Sequence, residues 1–133
     1  MSAAAIAAAN EAFYTAFRAG DLETITALWA ERAPVVCIHP GWDALIDRAD
    51  IIESWRAILA NGGTDIRCVR PRILTTGDHA LVVCEEHLPQ GVLVATNGFV
   101  REGGVWRLSF HQASPLQQRF ESEDADDPGV VMH

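Results

Sequence analysis

The sequence predicts an α+β fold, with three helices first and then a curved, mainly antiparallel sheet that wraps around them. Apolar residues recur at helical spacing early in the chain and at strand spacing from residue 64 onward. The later segments are separated by short turns that contain glycine, which usually join antiparallel neighbours. The 133 residues fit a single domain that can bury a core without disulfides.

Three stretches with helical spacing precede the sheet. The first covers residues 3–19, and Gly20 ends it because glycine accepts the left-handed conformation after a helix. Asp21 is placed to cap a second short helix that extends to Trp29, and Asp47 is placed to cap a third. The two-residue connection between the first two helices predicts a tight corner.

Five apolar runs predict the strands. They lie near residues 35–38, 65–75, 79–88, 91–101 and 105–112. Pro71 lacks a backbone N–H to donate, so the second strand must be bulged there or lie at an edge.

Alternation along the last three strands sorts the side chains into two faces. We assign to the helix-covered face the set with the large aromatic residues, which includes Trp106, Phe110 and the polar Thr96 and Gln112. The other face contains His111, and its apolar members are Val82, Cys84, Leu93, Ala95 and Phe99. Because three short helices cannot cover both faces, we predict a homodimer through the back of the sheet. An unrecognised bulge would reverse this assignment.

Composition excludes several classes of function. The net charge of −8 argues against a nucleic-acid partner, and no apolar run is long enough for a membrane span. We expect a cytoplasmic protein whose three cysteines form no disulfide framework. The domain is expected to cover residues 1–116. Residues 117–133, with five acidic side chains against Arg119, are expected to be a disordered tail.

Two segments carry a resemblance to a known family. The stretch FYTAFRAGDLETITALWAERAPVVCIHP resembles the start of a nuclear transport factor 2-like domain, and VREGGVWRLSFHQASP resembles the ending of its SnoaL-like members. This superfamily includes ketosteroid isomerases and SnoaL-like polyketide cyclases. The resemblance covers residues 5–116 and implies a cone-shaped sheet around an internal pocket. It specifies the fold well and the activity poorly.

His39 is the best candidate for chemistry. It ends the first strand before Pro40, where the resemblance to the isomerases places a carboxylate base, and a histidine there can transfer protons near neutral pH. The isomerases' oxyanion-binding tyrosine corresponds to Phe13, one residue before Tyr14, and their second acid falls near Thr96. Ketosteroid isomerase activity is therefore disfavoured. The alternative is a loop histidine bonded to the backbone or to water.

A small apolar or aromatic molecule is the expected ligand. Its predicted contacts are Trp42, Trp55, Thr96, Phe110 and Gln112. The pattern favours an ordinary core residue at Trp55 and makes Trp42 the better ligand contact, and the polar side chains could bond to a nearby loop.

Other titratable residues are weaker candidates. Glu85 and His87 share a face and read as a solvated edge rather than a proton-transfer pair. His111 is expected at the dimer contact, and in the pocket only if its strand is bulged. A metal site would have to gather His39, His87 and His111 from separate strands, so we expect neither a metal nor a cofactor.

Two functions fit the sequence. The first is a cofactor-free lyase, isomerase or cyclase with His39 as the acid or base. The second is a non-catalytic ligand-binding or dimerisation domain of the same fold.

Overall fold

The computed structural model describes residues 2–120. Its helices are α1 (Ser2–Ala19), α2 (Leu22–Leu28) and α3 (Arg48–Ile58). Its strands are β1 (Val36–Ile38), β2 (Arg67–Thr76), β3 (His79–Leu88), β4 (Gly91–Glu102) and β5 (Val105–Pro115). The predicted element order is confirmed. The acidic segment 121–133 lies outside the described residues.

The five strands form one mixed sheet in the order β1-β5-β4-β3-β2. β1 runs parallel to β5, and the other neighbours are antiparallel, as the short turns predict. The sheet forms a cone around the helices. Between Val69 and Arg72 the register of β2 shifts, so Pro71 lies in a bulge on an edge strand.

The helix ends follow the local signals in the sequence. Gly20 has a φ of 69°, the left-handed conformation expected after α1. The Asp21 side chain accepts a hydrogen bond from the backbone of Thr24, and that of Asp47 accepts one from Ala49. Both predicted caps are confirmed. No helix within residues 2–120 is long and apolar enough to cross a membrane.

The predicted faces of the sheet are reversed over most of its area. The side chains that β3 and β4 bury beneath the helices include Val82, Cys84, Ala95 and Phe99, which we had expected on the back. Trp106 and Leu108 of β5 are buried as predicted.

A bulge in β5 causes this difference. Gly98 pairs with Phe110, but the next residue, Phe99, pairs with Leu108, so Ser109 is an extra residue in β5. One extra residue exchanges the two faces of a strand. Trp106 and Leu108 therefore face the helices before the bulge, and His111 faces them after it.

The same bulge corrects three predicted ligand contacts. Thr96 pairs with Gln112 across the two strands, and both lie on the face opposite to buried Asn97 and His111. Phe110 lies there too, against Gly98. The placement of Thr96, Phe110 and Gln112 inside the cone is therefore wrong. We call their side of the sheet the outer face.

Glu102, at the end of β4, fixes the loop between α2 and β1. Its carboxylate accepts hydrogen bonds from the backbone N–H groups of Glu31, Arg32 and Ala33 at 2.8–3.1 Å. These bonds, with that from Ala33 the largest contribution, lower the pKa of Glu102. The loop leads into β1, which carries the first candidate site residue.

We expect Glu102→Gln to lower the free energy of unfolding by about 1–2 kcal/mol near pH 7, because an amide offers one acceptor oxygen where the carboxylate offers two. Since folding lowers the pKa of Glu102, the difference should be present above the ordinary glutamate pKa and disappear at lower pH. Urea unfolding at several pH values measures it. The control is Glu53→Gln, whose exposed pair with Arg56 should contribute little. Equal stability of the two variants would contradict this role.

Candidate functional site

His39 lies at the end of β1 and is almost completely buried. Its Nε2 is 2.8 Å from the Ser54 hydroxyl of α3. Ser54 donates its single hydroxyl proton to the Ile51 carbonyl oxygen, 2.6 Å away, so it accepts from His39. His39 therefore carries its proton on Nε2, and Nδ1 is the basic nitrogen. Its side chain is held by α3, which excludes the alternative of a loop histidine bonded only to backbone or water.

Two tryptophan rings contact His39. Trp42 lies edge-on at 4.9 Å between ring centroids and Trp55 at 5.0 Å. Trp55 is fully buried, whereas Trp42 keeps 48% of its surface exposed. The two predicted aromatic contacts thus lie beside the predicted proton-transfer residue, one inside the fold and one at its surface.

The β5 bulge brings a second histidine to the same place. The centroid of the His111 ring lies 6.4 Å from that of His39 and 5.8 Å from that of Trp55. The ring of Phe13, from α1, packs against both of these rings, with its centroid 5.1 Å from that of His111 and 5.6 Å from that of Trp55. The bulge turns His111 to the helix-covered side of the sheet, so the expectation that it lies at a dimer contact on the back is wrong.

Burial keeps both histidines uncharged. It lowers the pKa of His39 to about 4, and it lowers that of His111 to about 3, with nearby His39 adding to the shift. At neutral pH both rings are therefore neutral bases in an aromatic surrounding.

His111 is the end of a buried polar network. Its Nδ1 lies 2.6 Å from Asn97 Oδ1. The amide nitrogen of Asn97 donates to Asn10 Oδ1 and to the Tyr14 hydroxyl, both at 2.9 Å. Tyr14 in turn donates to Glu86 Oε2 at 2.7 Å. We call these five residues, Asn10, Tyr14, Glu86, Asn97 and His111, the polar network.

The polar network contains a buried carboxyl group. Glu86 is 2% exposed, and this burial raises its pKa to about 7. The same burial, together with the charge of Glu86, raises the pKa of Tyr14. The Tyr14 hydroxyl thus remains a hydrogen-bond donor at all ordinary pH values.

Sequence reasoning missed most of this network. The resemblance assigns the isomerases' tyrosine position to Phe13 and gives Tyr14 no role, yet both side chains are fully buried. A signal was available, because Glu86, Asn97 and His111 are polar residues that fall on one apolar face of adjacent strands.

Glu85 and His87 lie on the outer face, away from the two buried histidines. His87 Nε2 is 2.9 Å from Glu85, and Arg119 forms two hydrogen bonds to the same carboxylate. These bonds, with that from Arg119 dominant, lower the pKa of Glu85 to about 2. His87 therefore cannot join His39 and His111 around one metal ion. In the part of the chain that the structure describes, no cluster of three potential metal ligands is present.

The chain belongs to the SnoaL-like family, whose model matches residues 6–118. No protein of curated function matches the sequence closely enough to lend it an activity. The family explains the cone and its helices, and it leaves the chemistry to be argued from the site.

Solved structures share the fold across nearly the whole domain. A candidate dehydratase of the nuclear transport factor 2-like family from Streptomyces avermitilis is 32% identical, with a TM-score of 0.77, 87% of this chain covered and 97% of the other. A candidate calcium/calmodulin-dependent protein kinase type II association domain from Thiobacillus denitrificans is 34% identical, with a TM-score of 0.71 and 83% and 94% covered. A candidate ketosteroid isomerase from Parabacteroides distasonis, 13% identical with a TM-score of 0.67 and 80% and 84% covered, shares the fold alone.

The two buried histidines should make the fold sensitive to acid. Because folding lowers both pKa values, the unfolded chain binds more protons between pH 6.5 and 4, and the free energy of unfolding should fall as pH decreases through that range. Urea unfolding of His39→Gln and His111→Gln should show a shallower pH dependence than the parent. The raised pKa of Glu86 acts in the opposite direction but is common to all three proteins.

The control for this prediction is His79→Gln, because His79 is exposed at the start of β3. It should keep the pH dependence of the parent. If the substitutions at residues 39 and 111 also keep it, the two buried rings are not the acid-sensitive groups.

Proposed function

We propose that this chain binds a small apolar or aromatic molecule beside Trp42 and Trp55 and transfers protons on it without a cofactor. The observation that carries this proposal is the pair of buried histidines on one aromatic cluster. Within the described residues, their hydrogen bonds use Nε2 of His39 and Nδ1 of His111. The second nitrogen of each ring is therefore the one that serves a ligand.

Proton abstraction next to a carbonyl group is the chemistry we propose for this pair. The lowered pKa values keep both rings unprotonated at neutral pH, and they make each ring a weaker base than free imidazole but a stronger acid once it is protonated. A neutral imidazole removes the proton from carbon, and the electrons of the broken bond form a double bond. In a dehydration, the neighbouring hydroxyl group leaves as water after it takes a proton from the imidazolium. In an isomerisation, the imidazolium returns the proton to a different carbon. In both reactions the histidine that accepts the proton also donates it, so the ring is neutral again at the end.

The aromatic rings support an apolar ligand and a water-poor site. Trp55 and Phe13 are fully buried against the histidines, so charge on a reacting molecule would be poorly solvated except by the site itself. Trp42 is half exposed and its ring centroid lies 4.9 Å from that of His39, so we place the entrance to the proposed ligand site there. The likeness to a candidate dehydratase at 32% identity favours the lyase branch over the isomerase and cyclase branches.

The test uses β-hydroxy ketones and β,γ-unsaturated ketones as probes, followed in deuterated water by NMR. The protein should exchange the proton next to the carbonyl group, and it should release water from the first class or move the double bond in the second. His39→Gln should lower the rate by about 100-fold or more, the usual contribution of a general base. His79→Gln should leave it unchanged.

Retained exchange in both His39→Gln and His111→Gln would remove the proton-transfer role. Ligand binding detected by Trp fluorescence without any exchange would favour the non-catalytic function instead.

The second candidate function is self-association through the outer face. Two leucines on this face are exposed, Leu74 by 55% and Leu81 by 44%. Soluble proteins rarely expose a large apolar patch, so these side chains suggest a contact with another molecule. With Phe110 and Gly98 they line a cavity of about 230 Å³. The likeness to a candidate association domain is consistent with this role. The homodimer predicted from sequence is thus retained as a proposal, but with the opposite set of side chains at the contact.

Leu81→Glu should convert a dimer into a monomer, because it places a charge in the centre of this patch. Static light scattering at micromolar concentration measures the mass. The matched control is Ile46→Glu, since Ile46 is 74% exposed in the loop before α3 and should not affect the mass. A monomeric parent protein would end the proposal.

A further inference from the structure

Two members of the polar network favour one direction for its hydrogen bonds: Glu86 through its charge, and Asn97 because two partners face its nitrogen and one faces its oxygen. Asn10, Asn97 and His111 each hold both a donor and an acceptor, and the Tyr14 hydroxyl can act as either. The contact of Tyr14 with Cys84, at 3.3 Å, also permits both directions. The Asn10 amide nitrogen donates to Cys68 Sγ at 3.5 Å, and a turn of the Asn10 amide would reverse that bond. Only an ionised Glu86 is restricted to one role, because a carboxylate can only accept.

The direction follows step by step from Glu86. Tyr14 must donate its proton to the carboxylate, so its oxygen is left to accept. The group of Asn97 that faces Tyr14 at 2.9 Å is then the amide nitrogen. The amide oxygen of Asn97 consequently faces His111 Nδ1 at 2.6 Å and accepts its proton.

We propose that Glu86, acting through Tyr14 and Asn97, is a positioning residue that holds His111 in the tautomer with its proton on Nδ1 and its basic lone pair on Nε2. This inference rests on the proposed function for its catalytic meaning, since a base needs its lone pair on the nitrogen that faces the ligand. The tautomer itself is a property of the protein without ligand.

Without the carboxylate, the network has a second arrangement, which leaves one Asn97 amide proton without a partner among the described residues. The Asn97 amide can turn so that its oxygen accepts from Tyr14 and its nitrogen donates to His111 Nδ1. Asn10 can turn in the same sense and accept from the Cys68 thiol. In that arrangement the proton of His111 moves to Nε2, and the ring no longer offers a lone pair there.

Glu86→Gln tests the inference because glutamine keeps the shape and removes the fixed polarity. The tautomer of His111 is measured on protein labelled with ¹⁵N at histidine, from the chemical shifts of the two ring nitrogens, at pH 8. Loss of one signal set in His111→Gln provides the assignment. The parent should show a single form with the proton on Nδ1, and Glu86→Gln should show a larger population with the proton on Nε2 than the parent, because glutamine permits both arrangements.

The matched control is Glu85→Gln, the same substitution at the neighbouring residue of β3. Glu85 lies on the outer face with His87 and Arg119, so its replacement should leave the His111 signals unchanged. Asn97→Leu removes the acceptor of His111 and should give the proton on Nε2 whatever the state of Glu86.

A pH titration of the parent gives a second measurement that needs no variant at residue 86. The titratable groups that face Glu86 are Tyr14 from α1, Cys68 from β2 and Cys84 from its own strand. Protonation of Glu86, whose pKa burial raises to about 7, should make the His111 tautomer change near neutral pH, well above the pKa of either buried histidine.

A His111 proton found on Nε2 in the parent at pH 8 would overturn the inference, as would a tautomer that neither Glu86→Gln nor the titration changes. A tautomer that responds to Glu86 in a protein without proton-exchange activity would support the positioning role and end the proposed function. If Glu86→Gln is as active as the parent and its His111 tautomer is unchanged, the positioning role is wrong and the proposed function is supported.

Discussion

The single extra residue in β5, Ser109, is the constraint on which the site depends. Before it, the strand turns Trp106 and Leu108 under the helices, and after it the same strand turns His111 inward. Without the bulge, either the aromatic core or the histidine would face outward, because a strand with regular alternation cannot present both. The bulge therefore allows one strand to supply core packing at one end and a titratable group at the other.

Placing polar groups in this interior requires that they satisfy one another. A buried polar atom without a partner costs about 1–3 kcal/mol, whereas a bonded one is nearly neutral. Asn97 uses its oxygen for His111 and its nitrogen for Asn10 and Tyr14, so a fully buried amide is left with no unmet proton. Because each group is fully bonded, the network has a direction: whether one member donates or accepts depends on whether the next one accepts or donates.

Features that depend on residues close together in the sequence could be predicted, and those that depend on pairing between strands could not. Helix ends were predictable because Gly20, Asp21 and Asp47 act on neighbouring backbone groups. His39 and its two tryptophans were predictable because they flank one strand and one helix. The phase of the sheet was not predictable, because nothing in the sequence around Ser109 marks an extra residue. The register of β5 against β4 decides it. Errors at Thr96, Phe110, Gln112 and His111 all follow from that one residue.

The composition of the interior argues for chemistry rather than structure alone. Replacing both partners of a buried polar pair with apolar groups of similar shape is often neutral or stabilising, so a core that only supports a fold has little need for Glu86 or the two histidines. Departures from an apolar core are expected where a protein acts on something. Here the departures are contiguous, from Glu86 through Tyr14 and Asn97 to His111, and they end 6.4 Å from His39. The end of this network at a second buried histidine, within the same aromatic cluster, is the arrangement on which the proposed proton transfer rests.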